Sequence, residues 1–345
     1  MRAEALAGAR LTGEAIAGAI LAQTLQDPAD HHRPLLHKGR RLQPDDLALV
    51  RRAGVSELHV VRMDVDDVHE DDAARRLAAL VAGEGIAVHG PVESQMRLAA
   101  DTNGIFQVDI RRLEALNAIE DICVFTLFDG QLVPRGKTVA GVKVTPFALP
   151  RARLEEAERQ VAGSDGVVRV RAFRPMRVGV LVRERLDASA RERFQASIEA
   201  KVAWFGSRLT AIQYVADDAG LVAASLRQLA SQADLVLTAG ANATDPLDPT
   251  LIALAAIGAK MEKQGAPAHP GSAVWLAYLG DVPIFGVAAC GMFSRATVLD
   301  LLLPRLFTGV RLSAGDFTGL GHGGLLSRDM AFRFPSYGAS DTLDA

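Results

Sequence analysis

The sequence predicts an α/β protein whose C-terminal half forms a doubly wound, mostly parallel sheet. From residue 176 onward, short apolar runs typical of buried strands alternate with longer helical patterns. Strands that alternate with helices in this way are typical of parallel sheets covered by helices on both faces. Before that point the apolar runs are shorter and less regular. We therefore expect a smaller mixed α/β or β-rich region to precede the sheet.

The N-terminal region, residues 1–174, carries short patterns of both kinds, and either one or two small units would fit them. Residues 10–26 fit a strand or a short helix, and the Pro-bounded polar segment 30–34 predicts a loop. Apolar spacing and end signals predict helices at 43–53, 64–82, 112–117 and 154–161. Apolar and β-branched runs predict strands at 55–61, 86–88, 106–108, 122–126 and 167–173.

The C-terminal region is predicted to run from residue 175 to 335, with a tail at 336–345. We place the boundary near Arg174-Pro175, where short irregular apolar runs are followed by long alternating strand and helix patterns. Predicted strands lie at 177–183, 210–215, 235–238 and 283–287. Predicted helices lie at 189–205, 220–231, 249–264 and 294–307.

Composition excludes several classes of protein. The 345 residues carry a net charge of -3, which argues against a nucleic-acid partner or an anionic membrane surface. The sequence contains no apolar segment long enough to span a bilayer and no basic-then-apolar N-terminus of a secretory signal. Two distant cysteines form neither a disulfide framework nor a zinc pattern. We expect a cytoplasmic protein.

The most informative stretch is residues 233–250, ADLVLTAGANATDPLDPT. A buried strand is followed by a loop of small and polar residues and then by a helix. Ligands of open α/β sheets bind just beyond the carboxyl ends of strands, where such loops lie. The glycine allows close backbone approach, and the hydroxyl and amide groups offer hydrogen bonds. The candidate binding residues here are Thr238, Gly240, Asn242, Thr244 and Thr250.

The carboxylates of Asp245 and Asp248 in this loop fit either a ligand-binding role or a structural role. Asp245 and Asp248 are three residues apart, and paired carboxylates repel unless a cation or a hydroxyl-rich ligand satisfies them. Mg²⁺ is typically held by one or two carboxylates together with substrate phosphates. Alternatively, the acids form a turn and Asp248 caps the helix that begins at Pro249.

Three later stretches contribute further candidates. Pro270 and Gly271 form a turn that exposes N–H groups, and Ser272 offers a hydroxyl to an anion, with a plain turn as the alternative. Ser294 suits the N-cap of a helix whose free N–H groups favour phosphate. His322 lies among glycines, where it either approaches a ligand or occupies an exposed turn. Residues 319–324 match G-x-G-x-x-G but lack the flanking strand and helix of a dinucleotide site.

The order of these stretches resembles the molybdopterin-binding (Mog-type) domain family of molybdenum cofactor biosynthesis proteins. The resemblance is carried by the motifs Thr238-Ala239-Gly240, 245–250 (DPLDPT), Pro270-Gly271, the strand 283–287 and 321–324 (GHGG). A weaker match in residues 37–60 and 126–147 extends it over most of 10–330. The chain departs from the family pattern at Ala239 and at Ala288-Ala289, where paired Gly and Pro-Gly are usual.

The resemblance implies a protein that binds molybdopterin or molybdenum cofactor and acts in its biosynthesis, by adenylyl transfer or molybdate insertion. It also implies that Asp245 and Asp248 are catalytic and hold Mg²⁺, while the remaining candidate residues bind the pterin ligand. Two alternatives stay open: a non-catalytic carrier or maturation chaperone for a client molybdoenzyme, and the same fold binding another phosphorylated, nucleotide-like ligand. The resemblance further implies a homo-oligomer.

Overall fold

In a computed structural model, the structure describes residues 1–92, 94–183, 186–241, 245–287 and 296–337. The described chain is a mixed α/β protein with several sheets, which confirms the predicted class. It divides into two compact units. The N-terminal unit comprises Met1–Thr102, Phe106–Asp129 and Val133–Val170, and the C-terminal unit comprises Asn103–Ile105, Gly130–Leu132 and the chain from Arg171 onward. The domain boundaries read from the sequence stay a prediction.

The N-terminal part of the chain folds into short strands and helices. Its strands are β1 (Arg2–Ala7), β2 (Ile20–Leu21), β3 (Leu25–Asp27), β4 (Asp30–Leu36), β5 (Glu57–Arg62), β6 (Asp67–His69), β7 (Ile86–Val92), β8 (Gln95–Ala100), β9 (Gly104–Val108), β10 (Ile122–Thr126), β11 (Leu132–Val133), β12 (Thr138–Val144), β13 (Ala148–Pro150) and β14 (Val168–Ala172). Its helices are α1 (Gly13–Ile16), α2 (Leu47–Arg52), α3 (Glu70–Val81), α4 (Ile110–Asn117) and α5 (Arg151–Val161).

These strands form small sheets over two apolar cores. The sheet orders are β1-β5-β2, β10-β12-β8-β7, β11-β9-β14, β13-β6 and β3-β4. One core gathers buried side chains such as Ile16, Leu42 and Leu58. The other packs α3 against the four-stranded sheet and α5 against α3, through residues such as Leu77 and Leu154. The polar segment 30–34, predicted as a loop, belongs to β4, because it pairs with β3 in a hairpin.

The C-terminal unit is built on one six-stranded sheet. Its strands are β15 (Arg177–Val182), β16 (Arg208–Tyr214), β17 (Leu235–Ala239), β18 (Lys260–Gln264), β19 (Trp275–Leu279) and β20 (Val282–Val287). Its helices are α6 (Ala188–Trp204), α7 (Ala219–Gln232), α8 (Pro249–Ala256), α9 (Val298–Phe307) and α10 (Ala314–Thr318). The order is β16-β15-β17-β20-β19-β18, in which the first four strands are parallel and β19 pairs antiparallel with both β20 and β18.

Helices cover both faces of this sheet. Alternate residues of each strand point to opposite faces, so Leu237 and Val236 belong to different cores. The core that contains Leu237 packs against α6 and α9, and the core that contains Val236 packs against α7 and α8. This arrangement is a doubly wound sheet with an antiparallel edge. No helix in the described ranges has the length and apolarity needed to cross a membrane.

Three predicted helices have clearly different bounds in the structure. The helix predicted at 64–82 begins at Glu70, because Asp67–His69 pair with β13 as strand β6. The helix predicted at 249–264 ends at Ala256, because Gly258 adopts φ +75° and turns the chain into edge strand β18. The helix predicted to be capped by Ser294 begins at Val298 and is capped by Thr297. Strand β19 was not predicted; the Gly280-Asp281 turn that joins it to β20 was the available signal.

A buried ion pair joins α6 to α9. Lys201 Nζ pairs with Asp300 Oδ1, and both side chains are almost fully excluded from solvent. Asp300 Oδ2 accepts hydrogen bonds from the N–H and the hydroxyl of Thr297, each at 2.9 Å, so the same carboxylate caps α9. The Lys201 ammonium also lies 4.5 Å from the ring centroid of Tyr337. Burial and the Asp300 charge raise the pKa of Tyr337 well above its usual value.

We expect Lys201→Met to lower the free energy of unfolding of the C-terminal unit by about 3–5 kcal/mol, because it leaves the Asp300 carboxylate buried and unpaired. Both tryptophans, Trp204 and Trp275, lie in this unit, so urea unfolding followed by tryptophan fluorescence reports on it selectively. The matched control is Lys260→Met in β18, where the lysine is exposed and the expected change is within about 0.5 kcal/mol. Equal losses in the two variants would contradict a stabilising role for the pair.

Candidate functional site

Three parallel strands end together at one edge of the six-stranded sheet. Val182 at the end of β15 is opposite Ala239 at the end of β17, which in turn is opposite Val287 at the end of β20. Strand β19 runs the other way and places Trp275, its first residue, opposite Gly286. The segment before Trp275 therefore returns to the same edge. Ligands of open α/β sheets bind at this carboxyl edge.

Arg183 joins several segments at this edge, and the sequence analysis missed it. Its backbone N–H donates to the Ala239 carbonyl at 2.9 Å, and its Nη2 donates to the Gly240 carbonyl at 2.8 Å. The guanidinium also forms ion pairs with Asp217 and Asp248. The Arg183 side chain is only 7% exposed. An arginine directly after the buried run Val178–Val182 was the available signal for a buried cation.

The Asp248 carboxylate is occupied on both oxygens. It is 3% exposed, its Oδ1 accepts the Thr250 N–H at 2.8 Å, and its Oδ2 pairs with Arg183. Asp248 is therefore the N-cap of α8, the structural interpretation that the sequence left open. Whether it also contacts a ligand stays a prediction.

Asp245 is placed differently from Asp248. Its side chain is exposed, and its Oδ1 accepts the Leu247 N–H at 2.9 Å, which closes a local turn. Its backbone carbonyl accepts the Asp248 N–H at 3.1 Å. Within the described ranges, no three His, Cys, Asp or Glu side chains converge to hold a metal ion. Asp245 is therefore not part of such a cluster among the described residues.

Two buried hydroxyls lie in the strand and the helix that flank this loop. Thr238, in β17, and Thr250, in the first turn of α8, are each 1% exposed. Neither hydroxyl has a hydrogen-bond partner among the residues that the structure describes. Between them, Gly240 adopts φ +91°, a conformation that favours glycine. An unpaired buried hydroxyl costs about 1–3 kcal/mol, so each of these two atoms needs an acceptor from outside the described residues.

The Pro270-Gly271 turn packs against the start of α9. The Pro270 carbonyl accepts the Val298 N–H at 3.1 Å. A side chain at Gly271, which has φ +103°, would place its Cβ 3.0 Å from the same nitrogen. Ser272 is exposed, and its carbonyl accepts the Ala266 N–H at 2.9 Å. The turn therefore fixes the N-terminus of α9 and leaves Ser272 accessible.

The structure brings the glycine-rich loop of His322 beside the segment before β19. The Gly324 carbonyl accepts the His269 N–H at 2.7 Å, and the His269 carbonyl accepts the Leu326 N–H at 2.8 Å. His322 itself is exposed. Two stretches that the sequence identified separately thus form one surface. Asn242, Thr244 and Ser294, also predicted to bind the ligand, lie outside the described residues.

Comparisons with known proteins identify neither a family nor an activity. No protein-family model and no curated protein matches the sequence. Similar solved structures include the molybdopterin biosynthesis MoeA protein from Pyrococcus horikoshii, at 14% identity over 70% of this chain and 80% of that chain, with a TM-score of 0.30. The molybdopterin biosynthesis enzyme MoaB from Thermus thermophilus matches at 20% identity over 39% of this chain and 98% of that chain, with a TM-score of 0.30. The protein CinA from Thermoplasma acidophilum matches at 11% identity over 34% and 89%, with a TM-score of 0.27.

Two substitutions of Asp248 distinguish the stability that its helix cap contributes from the stability that its ion pair contributes. Asp248→Asn keeps an oxygen for the Thr250 N–H but loses the ion pair with Arg183, so we expect the free energy of unfolding to fall by about 1.5–3 kcal/mol. Asp248→Ala also removes the cap, which adds about 1 kcal/mol. Tryptophan-detected urea unfolding measures both, with Asp245→Asn as the exposed control at within about 0.5 kcal/mol. Equal stability of the Asn variant and the native chain would show that the pair contributes nothing.

The contact between the two loops predicts a difference between two glycines. A Cβ at Gly324 would lie 2.5 Å from the Pro267 carbonyl oxygen, whereas a Cβ at Gly319 meets nothing within 4 Å. We expect Gly324→Ala to destabilise the unit by about 1–3 kcal/mol and Gly319→Ala to change it by less than about 0.5 kcal/mol. The same fluorescence assay checks this, and a harmless Gly324→Ala would contradict the tight packing of Gly324 against the carbonyl oxygens of Pro267 and Leu320.

Proposed function

We propose that the C-terminal unit binds molybdopterin or molybdenum cofactor at the carboxyl edge of its sheet and acts in the biosynthesis of that cofactor. The observation that carries the proposal is the convergence of the predicted stretches. The loop after β17 and the Pro270-Gly271 turn lie at one edge, and the His322 loop packs beside the segment that contains that turn. Their order along the chain is the order of the Mog-type resemblance.

The described residues fit a ligand rich in phosphate and polar ring atoms. The hydroxyls of Thr238 and Thr250 are buried donors that lack protein acceptors in the described chain. Gly240 lets the backbone approach a ligand without a side chain in the way. Ser272 and His322 are exposed on the later loops and are available for contact. In this proposal Thr250 and Thr238 bind the ligand directly, and Gly271 fixes the turn.

The two acids take different roles in the proposal. Asp245 is exposed and is the carboxylate available for Mg²⁺ bound to a phosphate-bearing substrate. Asp248, neutralised by Arg183, positions the start of α8 instead of binding metal. If the protein is an enzyme, adenylyl transfer or molybdate insertion would depend on positioning and electrostatics at this edge.

A carrier without catalytic activity is the second candidate. The observation that favours it is the Arg183 ion pair, because it engages one of the two carboxylates that were predicted to hold a metal. A carrier needs a binding site but no metal-activated reaction. Delivery to a client molybdoenzyme and assembly as a homo-oligomer remain proposals from the resemblance.

Removing a buried hydroxyl tests the proposed site, because affinity and stability are expected to respond differently. We expect Thr250→Val to weaken molybdopterin binding roughly tenfold, about 1.4 kcal/mol, without lowering stability, because the valine removes a hydroxyl that has no partner in the described chain. Isothermal titration and urea unfolding measure the two quantities. The control Thr210→Val removes a hydroxyl that donates to the Val178 carbonyl at 3.0 Å, and we expect it to lower stability by about 1 kcal/mol and leave affinity intact.

Binding and turnover assays on the native chain test which ligand binds and whether a reaction takes place. Failure of molybdopterin to bind the native chain would overturn the proposed function. Binding that Thr250→Val leaves unchanged would remove this hydroxyl from the site. Turnover in an assay for ATP-dependent adenylation or molybdate insertion would exclude the carrier. Mass spectrometry of a co-purified ligand that is not a pterin would favour the third hypothesis, another phosphorylated molecule.

A further inference from the structure

The N-terminal unit contains an open cleft of about 530 Å³ that no part of the proposed function uses. It is formed by the turn between β9 and α4, the segment near Asp129, and the turn between α5 and β14. The volume lies within the range of small-molecule sites, about 300–1,000 Å³. Charged and polar side chains dominate the lining, with Val108 and Val167 as its apolar part.

Two arginines contribute positive charge to the cleft. Arg112 pairs through Nη1 with Asp109, which caps α4, and its Nε is buried without a hydrogen-bond partner in the described chain. The Arg112 N–H and guanidinium lower the pKa of Asp109, so this carboxylate stays ionised and paired. Arg169 donates through Nε to Gln107 Oε1 at 3.0 Å, and this contact orients its guanidinium. Both arginines therefore retain donors for an anionic group.

Two aspartates contribute negative charge to the same cleft. Asp129 Oδ1 accepts the Val108 N–H at 2.9 Å, which fixes this carboxylate at the cleft wall. Asp165 is exposed in the turn after α5, and its carboxylate makes no hydrogen bond or ion pair to any described residue. Neither aspartate is neutralised by the arginines that line the cleft.

We propose that this cleft binds a small zwitterion of the free α-amino acid class. The ligand carboxylate accepts from Arg112 and Arg169, and its ammonium donates to Asp129 and Asp165. A simple anion would meet two unneutralised carboxylates, and a simple cation would meet the guanidiniums of Arg169 and of Arg112, the latter paired with Asp109. Charged groups of both signs in the lining therefore favour a ligand that carries both charges. Charge-assisted hydrogen bonds of this kind are the strongest that side chains form.

Isothermal titration of the full chain with each standard L-amino acid tests the class of ligand. We expect at least one free amino acid to bind, and its N-acetyl and carboxamide derivatives to bind at least about tenfold more weakly, because each lacks one charge. Binding by none of them would overturn the proposal. Equal binding of the blocked derivatives, or binding of glucose or inorganic phosphate in place of amino acids, would overturn it as well.

Three substitutions test the location of the site. We expect Arg112→Gln and Asp165→Asn each to weaken binding of that amino acid by about tenfold or more. Asp165 has no partner to lose in the described chain, so its variant retains the native fold even if Arg112→Gln does not. The matched control is Arg111→Gln, an exposed arginine one residue earlier in α4 that does not line the cleft. Unchanged affinity in Asp165→Asn, or an equal loss in Arg111→Gln, would contradict the assignment.

Discussion

The carboxyl edge of the C-terminal sheet depends on the buried guanidinium of Arg183. This one group reaches Asp217 after β16, the Gly240 carbonyl after β17, and Asp248 at the start of α8. Because the side chain is almost fully desolvated, its charge requires these partners, and losing any of them leaves a buried charge poorly compensated. The loop that the sequence predicts to bind ligand is therefore held at both of its ends by the same cation.

A second buried ion pair supports the other face of the sheet. Lys201 and Asp300 join α6 to α9, and Asp300 caps α9 through Thr297, next to the turn at Gly271. Each face of the sheet thus has a desolvated pair that fixes the N-terminus of a helix at the carboxyl edge. Buried pairs of this kind add little net stability over an apolar core, but they are costly to break. The two pairs therefore fix the helix starts and loops of this edge in one arrangement.

The sequence predicted the parallel strands well, because buried parallel strands are nearly continuous apolar runs. It predicted secondary structure less well where a local helical pattern or capping residue competed with contacts to residues elsewhere in the fold. The segment 260–264 continues a helical pattern, but pairing with Trp275–Leu279 makes it a strand. Ser294 and Thr297 are both good caps, and only the capping box with Asp300 decides for Thr297. Arg183, Lys201 and Asp300 were missed because their partners are 65 and 99 residues away in sequence.

Asp245 and Asp248 show that residue spacing alone does not establish the chemical role of a side chain. Spacing alone treats Asp245 and Asp248 as an equivalent pair, yet one is exposed and the other is buried against a cation. The Asp248 carboxylate caps a helix, pairs with an arginine and is 3% exposed, so little of its surface is open to solvent. The hydroxyls of Thr238 and Thr250 are in the opposite situation, since the described chain buries them and offers no acceptor. Polar atoms that a fold buries and leaves unpaired carry a cost that a ligand can remove. The proposal of a ligand at this edge therefore rests more on the buried hydroxyls than on the two acids.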